Sequence, residues 1–195
     1  MFKQFYHNSL FFSIYTILTY KTKSVKIYNY QILRKEEVYM SIEKVRNYLK
    51  HYNKENEILE FDVSSATVEL ASKALNTEPA KIAKTLALKD KDNCIVIVTA
   101  GDGKIDNQKF KSEFGFKAKM LSHDETFFFT GHEVGGVCPF ALPNSIKCFI
   151  DVSLKRFETV FPACGSSNSA IELTPDELFE ISKSEKWVNI CKDWQ

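Results

Sequence analysis

The sequence predicts one mixed α/β domain that extends from Met40 to Gln195. Two observations lead to this fold class: short β-branched or apolar runs are concentrated in the middle of this segment, and stretches with helical spacing or helix caps lie between these runs and at both ends. No internal repeat, low-complexity tract or linker divides the segment. The chain has 195 residues, of which 44% are hydrophobic, so it can bury a single core.

The beginning of this domain is predicted to be helical. Ser41 can cap a helix that runs to about His51, because apolar residues follow it at helical spacing. A short extended piece is expected at residues 58–61, and a second helix is expected after Ser65. A third helix should begin at Pro79, since proline is tolerated in the first turn of a helix.

The strands are expected in the middle and at the end of the domain. The apolar runs 85–88 and 94–99 are separated by a charged pentapeptide, which predicts a β-hairpin. Residues 147–152 and 159–161 have the composition of buried strands, and a final strand is expected near residues 187–191.

Three further helices are indicated by their caps. Residues 106–114 should form a helix that Gly115 closes, and Ser122 begins a capping box for a helix that Gly131 closes. Residues 174–177 form a second capping box.

Residues 1–39 are predicted to be a non-native or disordered extension. The apolar run at 10–20 is too short to cross a bilayer, which takes about 20 residues, and no small-x-small cleavage site follows it. Residues 35–39 can be encoded by a purine-rich ribosome-binding sequence just before Met40, so we expect Met40 to be the true start. The alternative is a genuine extension that is disordered or forms a loose helix, in which case the protein could be anchored.

Charge and cysteine content narrow the function classes. Residues 1–39 hold six Lys/Arg and two Asp/Glu, so the remainder holds 20 and 23 and has a net charge of −3. Such a domain should not grip long stretches of nucleic acid. Single cysteines without CxxC or Cys/His spacing predict reduced thiols of a cytoplasmic protein, with no metal and no cofactor. These cysteines are Cys94, Cys138, Cys148, Cys164 and Cys191.

Lys84 is the first candidate for chemistry. It stands where the helix expected from Pro79 meets the strand expected from Thr85. A lysine at such a junction can direct its ammonium into a cleft, where it can hold a phosphate or polarise an ester carbonyl. The alternative is a solvated surface charge, and the local sequence does not decide between them.

The stretch from Gly131 to Phe140 contains adjacent glycines followed by a proline, and we predict substrate contacts there at Gly135, Gly136, Val137, Cys138 and Pro139. Adjacent glycines let a ligand approach the chain closely, and their N–H groups can stabilise an oxyanion. The alternative is a plain turn between a helix and a strand.

A second small-residue loop follows Phe161. Its predicted substrate contacts are Gly165, Ser166 and Asn168, whose polar groups can bind a ligand, although loops of this composition often simply turn.

His132 and Cys138 suggest a thiol nucleophile and its base. We disfavour that mechanism, because a histidine at a helix C-terminus is favoured as the imidazolium and no third group is evident. His51 and His123 are interpreted as surface residues, and the sequence contains no GxSxG and no GxxxxGK[ST].

Together these pieces resemble the YbaK family of free-standing aminoacyl-tRNA deacylases, which is related to the editing domain of bacterial prolyl-tRNA synthetases. Three ordered blocks carry the resemblance: EPAKIAKTL around Lys84, GHEVGGVCPFALP from Gly131, and IDVSLKRFETVFPACGSSNSAIELTPDEL from Ile150. The resemblance implies a mixed α/β fold with a small, strongly curved sheet surrounded by helices. It also implies that Lys84 is catalytic and that Gly135 and Gly136 line the pocket around the aminoacyl ester.

The implied activity is hydrolysis of mischarged aminoacyl-tRNA, with the acceptor end as partner and a synthetase or elongation factor as a further partner. Members that act on cysteinyl-tRNA(Pro) have Ser-Gly-Gly where this chain has Ala163-Cys164-Gly165, and Asp where it has Ala170, which weakens the case for cysteine. The run Pro139–Asn144 instead looks like members that remove alanine. Two alternatives stay open: a catalytically silent module that binds a tRNA end or an amino-acid derivative, and a hydrolase of small N-acyl or ester metabolites.

Overall fold

A five-stranded mixed sheet forms the centre of the fold. The computed structural model describes residues 41–194, so the predictions for residues 1–39 and for a start at Met40 lie outside the described residues. The elements in chain order are α1 (41–49), β1 (Leu59–Glu60), α2 (Val68–Leu75), β2 (Ile82–Asp90), β3 (Asn93–Ala100), β4 (Lys104–Ile105), α3 (Asn107–Phe114), α4 (His123–Thr130), β5 (Lys147–Asp151), β6 (Phe161–Pro162), β7 (Ser169–Ala170), α5 (Pro175–Ile181), β8 (Trp187–Val188) and β9 (Cys191–Lys192).

The sheet has the strand order β6-β2-β3-β5-β8. β2 and β3 form the antiparallel hairpin that the sequence predicts, and β6, β5 and β8 join it by parallel pairing. Two small antiparallel pairs, β1 with β7 and β4 with β9, lie outside this sheet. The predicted mixed α/β fold with a central sheet and surrounding helices is therefore confirmed.

The central strand β3 is buried on both faces. Val96 and Val98 pack into one hydrophobic cluster, whereas Ile95 and Ile97 pack into a second one. Side chains alternate between the faces of a strand, so a strand covered on both sides needs a continuous apolar run. This is why residues 94–98 are apolar without interruption.

The predicted caps of α3, α4 and α5 are confirmed. Asp106 accepts hydrogen bonds from the N–H groups of Gln108 and Lys109 in the first turn of α3. Both predicted capping boxes, at Ser122 and Thr174, are present. Gly115 and Gly131 close α3 and α4 in left-handed conformations, with φ of 80° and 73°.

Three local predictions were wrong. Ser41 already lies within α1 and its hydroxyl contacts His132 instead of capping the helix. The helix expected from Pro79 is one 3-10 turn, Pro79–Lys81, because β2 already begins at Ile82 and pairs there with Phe161. The last strand is divided into β8 and β9, and the buried carboxylate of Asp151 accepts from the N–H of Ile190, which lies between them, and from the N–H of Cys191 at the start of β9.

No helix within residues 41–194 is long and apolar enough to cross a membrane. All five cysteines are free and buried.

Candidate active site

A cavity of about 510 Å³ lies beside β2, which is in the size range of small-molecule sites. Its wall is formed by α2 and the residues before it, by β2, by the first turn of α4, by the loop at 134–137 and by β6 and β7. Segments far apart in the sequence therefore meet at one place.

The cavity opens onto an unpaired part of β2. On this side β2 pairs with β6 only at Ile82 and Ala83, and the segment around Met120 joins it again at residues 87–89. Between these two contacts, no strand of the described residues covers positions 84–86. Because the cavity lies at the sheet edge, consecutive residues of β2 can line it although their side chains point to opposite faces.

Lys84 is the third residue of β2, not a helix-to-strand junction as predicted, and it lines the cavity. Its Nζ donates hydrogen bonds to the carbonyl oxygens of Gly101, at 3.0 Å, and Gly103, at 2.5 Å. An ammonium has three N–H donors, and these are its two acceptors among the described residues, so the third donor can bond a ligand. Burial lowers the pKa of Lys84, and the nearby Cys191 and Asp102 oppose that shift.

Gly135 and Val137 line the cavity as well. Gly135 has a φ of 92°, and a Cβ there would lie 2.8 Å from the Cβ of Ala66. A Cβ on Gly136 would lie 2.7 Å from the backbone of Ser166. The glycine pair thus lets the loop pack against two neighbours, and the N–H of Gly136 is engaged with the carbonyl of Glu133 at 2.9 Å.

The other predicted contact residues lie outside the cavity wall. Cys138 and Pro139 are buried, and Gly165 packs against α1 at Ser41. Ser166 Oγ lies 2.9 Å from Asn168 Oδ1, and the amide of Asn168 donates to the carbonyl of Phe61 at 2.8 Å. Direct substrate contact by these residues stays a prediction.

His132 and Cys138 do come together, with Cys138 Sγ 3.6 Å from His132 Nε2. Ser41 Oγ, 2.8 Å from His132 Nδ1, is the third group that the sequence did not reveal. Burial raises the pKa of the Cys138 thiol to about 12 and lowers the pKa of His132 to about 4. The expected imidazolium is therefore wrong, because burial outweighs the helix terminus. Neither residue lines the cavity.

Sequence reasoning missed several polar residues of the wall, among them Thr85 and His123. Thr85 Oγ1 is buried and has no hydrogen-bond partner within residues 41–194, although it lies next to Lys84. His123, interpreted as a surface residue, is exposed but lines the cavity from the first turn of α4. The capping box at Ser122 fixes this turn, and only the packing of α4 against β2 could have revealed its position.

The apolar part of the wall includes Ala163 and Ala170, which face each other as an isolated bridge. These are two of the positions at which the chain departs from the members that act on cysteinyl-tRNA(Pro). Among the described residues, no group of three or more His, Cys, Asp or Glu side chains is placed to hold a metal ion.

The fold and this cavity define the class of protein. The sequence model of the aminoacyl-tRNA editing domain family matches residues 63–181, and the chain belongs to this family. The resemblance predicted from the three sequence blocks is thereby confirmed.

Individual relatives support the same family. The chain is 54% identical over 157 residues to uncharacterized protein YwhH of Bacillus subtilis, covering 80% of this chain and all of that protein. It is 23% identical over 121 residues to a proline--tRNA ligase of Bacillus cereus, covering 60% of this chain and 21% of the ligase.

Two solved structures share the fold. A protein described as a candidate trans-editing enzyme for prolyl-tRNA synthetase superposes with a TM-score of 0.71 at 21% identity, over 78% of this chain and 97% of that one. Hypothetical protein APE2540 superposes with a TM-score of 0.63 at 27% identity, over 69% of this chain and 90% of that one.

Proposed function

We propose that this chain is a trans-acting deacylase that hydrolyses the ester between a small amino acid and tRNA(Pro) or a related tRNA. One observation carries the proposal: Lys84 lines a cavity at an open strand edge and its ammonium is held by two carbonyl groups, in a chain of the aminoacyl-tRNA editing family. A fixed cation in a partly buried cleft can stabilise charge that develops on an ester oxygen.

The proposed reaction needs no protein nucleophile. Water adds to the ester carbonyl carbon, the bond to the ribose oxygen breaks, and that oxygen takes a proton derived from the water. Free amino acid and tRNA leave. Lys84 meets the ester oxygen or the terminal phosphate, and Gly135 presents backbone at the cavity wall. Because an aminoacyl ester is already activated, positioning and charge stabilisation can supply the acceleration.

Among small amino acids we place alanine first, with cysteine and serine as the next candidates. Ala163 and Ala170 make part of the wall apolar at positions where the resemblance gives Ser and Asp in members that act on cysteinyl-tRNA(Pro). These two alanines offer a thiol or hydroxyl no hydrogen-bond partner, whereas they suit a methyl group.

We further propose that the protein holds only the acceptor end of tRNA. The net charge of −3 for residues 40–195 argues against an extended RNA-binding face. A candidate RNA-facing group of lysines lies at positions 104, 109, 111, 117 and 119. Two of them already have partners, since Lys104 pairs with Asp193 and Lys109 donates to the carbonyl of Cys191. A synthetase or elongation factor would supply further affinity, and binding by the chain alone should be weak and salt-sensitive.

The test is a deacylation screen of the full chain against tRNAs charged with alanine, cysteine, serine, threonine and proline. Wild-type protein should hydrolyse one or two mischarged species, and Lys84→Ala should reduce the rate by about 100-fold or more, because it removes the cation. Lys81→Ala is the matched control, since Lys81 belongs to the preceding turn and does not line the cavity.

The alternatives give different results in the same screen. A catalytically silent module would bind the charged tRNA end without turnover, and Lys84→Ala would only weaken binding. A hydrolase of small metabolites would act equally well on amino-acid esters that lack tRNA. Hydrolysis that is unaffected by Lys84→Ala would contradict the proposed mechanism.

A further inference from the structure

We infer that Asp102 and Arg156 are positioning residues for Lys84, an inference that rests on the proposed deacylase function. Neither residue lines the cavity. They act through the turn at residues 101–103, whose carbonyl groups hold the ammonium of Lys84.

The position of Asp102 in this turn is the first step. Gly101 and Gly103 both present their carbonyl oxygens to Lys84 Nζ, and Asp102 is the residue between them. Any contact that restrains the Asp102 side chain therefore restrains the residue between the two carbonyl groups that hold Lys84. A shift of this turn would move both acceptors of the ammonium together.

Arg156 supplies that contact. Its Nη2 lies 2.6 Å from Asp102 Oδ1, and its Nε donates to the carbonyl of Ser153 at 2.9 Å. Its Nη1 donates to the carbonyl of Trp194, whose ring lies under the guanidinium at 5.1 Å. A guanidinium bound on several sides is a rigid anchor, so the 3-10 turn Val152–Arg156 is linked directly to the turn that holds Lys84.

Backbone contacts fix the other side of the same turn. The N–H of Gly101 donates to the carbonyl of Ala80 at 3.3 Å, and a Cβ on Gly101 would lie 2.0 Å from the carbonyl oxygen of Pro79. The N–H of Ala100 donates to Ser153 Oγ at 3.1 Å. Asp102–Arg156 is thus a side-chain restraint that can be removed without touching the backbone contacts.

Within residues 41–194, four charged or titratable groups act on Lys84. Asp102 and Lys104 face it from the turn and β4, Glu69 from α2, and Cys191 from β9. Asp102 and Glu69 favour the ammonium, whereas Lys104 disfavours it and is itself paired with Asp193. Removing the charge of Asp102 should therefore lower the pKa of Lys84 further, besides loosening the turn.

The experiment combines kinetics with a direct view of the lysine. Asp102→Asn and Arg156→Gln in the full chain should each lower kcat for the hydrolysed aminoacyl-tRNA by about 10- to 100-fold, with little change in KM, because a misplaced catalytic group costs rate more than binding. In the Lys84→Ala background, neither substitution should lower the rate any further.

The pH dependence supplies a second readout. The activity of Asp102→Asn should fall at a lower pH on the alkaline side than that of wild type, and NMR of Lys84 labelled at Cε should show the same downward shift. Glu113→Gln is the matched control, because Glu113 forms a similar ion pair with Lys186 and its side chain is 30% exposed, against 34% for Asp102. It should leave rate and pH profile unchanged.

The outcomes separate this inference from the proposed function. The positioning role is overturned if wild type hydrolyses the ester and the Asp102→Asn variant is equally fast. It is also overturned if Asp102→Asn slows the Lys84→Ala variant by the same factor by which it slows wild type. If wild type hydrolyses no ester but the NMR titration of Lys84 shifts in Asp102→Asn, the deacylase proposal fails and the structural link to Lys84 stands. An unchanged titration together with an unchanged rate overturns the link itself.

Discussion

Lys84 and Thr85 are neighbours in β2, and their side chains differ in whether they have a hydrogen-bond partner. The ammonium of Lys84 has two carbonyl acceptors, whereas the buried hydroxyl of Thr85 has no partner among the described residues. A buried hydroxyl without a partner costs about 1–3 kcal/mol, so such groups usually have a role that compensates. We therefore expect Thr85 to bond a polar group of the substrate.

The substitution Thr85→Val tests this expectation. Valine keeps the shape of threonine and removes the hydroxyl, so urea unfolding should show equal or slightly higher stability. Deacylation should nevertheless fall roughly three- to tenfold, the worth of one neutral hydrogen bond.

Thr159→Val is the comparison for this substitution. The hydroxyl of Thr159 donates to Glu172 at 2.7 Å, away from the cavity, so its removal should leave the deacylation rate as in wild type. Wild-type turnover by Thr85→Val would mean that the hydroxyl does not contact the substrate.

Among the elements, α4 connects local sequence most directly to the cavity. Its capping box is readable from Ser122 and Glu125, and the first turn that the box fixes carries His123 and Thr126 into the wall. The hairpin of β2 and β3 and the caps of α3 and α5 were likewise predictable, because each depends on residues close together in the sequence.

Long-range contacts account for what could not be predicted. β2 begins at Ile82 because Phe161 pairs with it, and no local pattern around Pro79 records that partner. The glycine pair was predicted to contact a ligand from its residue types, yet it packs against Ala66 and Ser166, residues from two distant segments. The burial of His132, which reverses its expected charge, is also set by tertiary packing.

Removing the cap of α4 should have a measurable effect on stability. Ser122→Ala deletes the acceptor for the N–H of Glu125, and losing an N-cap side chain costs about 1 kcal/mol. The free energy of unfolding from urea titration should fall by that amount, and deacylation should fall with it if the first turn frays.

Ser112→Ala controls for loss of a helical serine, since Ser112 lies inside α3 and is exposed. That variant should stay within about 0.5 kcal/mol of wild type. Equal stability of Ser122→Ala and wild type would show that the capping box contributes nothing to the folded state.

For the whole molecule, burial of ionisable groups sets the pH range in which the fold is stable. His132 and Cys138 are held in their neutral forms, the histidine because its pKa is lowered to about 4 and the thiol because its pKa is raised to about 12. Glu125, whose pKa is lowered to about 2 mainly by the N–H of Ser122, contributes stability that is lost only below the ordinary value of 4.5. Between pH 6.5 and 4.5, the pH dependence of stability therefore reports on His132 and not on Glu125.

In this range the free energy of unfolding should fall as the pH falls. The unfolded chain protonates His132 below its ordinary value of 6.5, whereas the folded protein resists protonation until about pH 4, so the unfolded state binds more protons. The full loss by pH 4 should be about 3 kcal/mol. Urea titrations at pH 7, 6 and 5 should show this fall of the unfolding free energy in wild type and in the control His51→Gln, which removes an exposed histidine. In His132→Gln the unfolding free energy should depend less on pH, by the amount that corresponds to about one bound proton. An unchanged slope in His132→Gln would place the acid sensitivity in other groups.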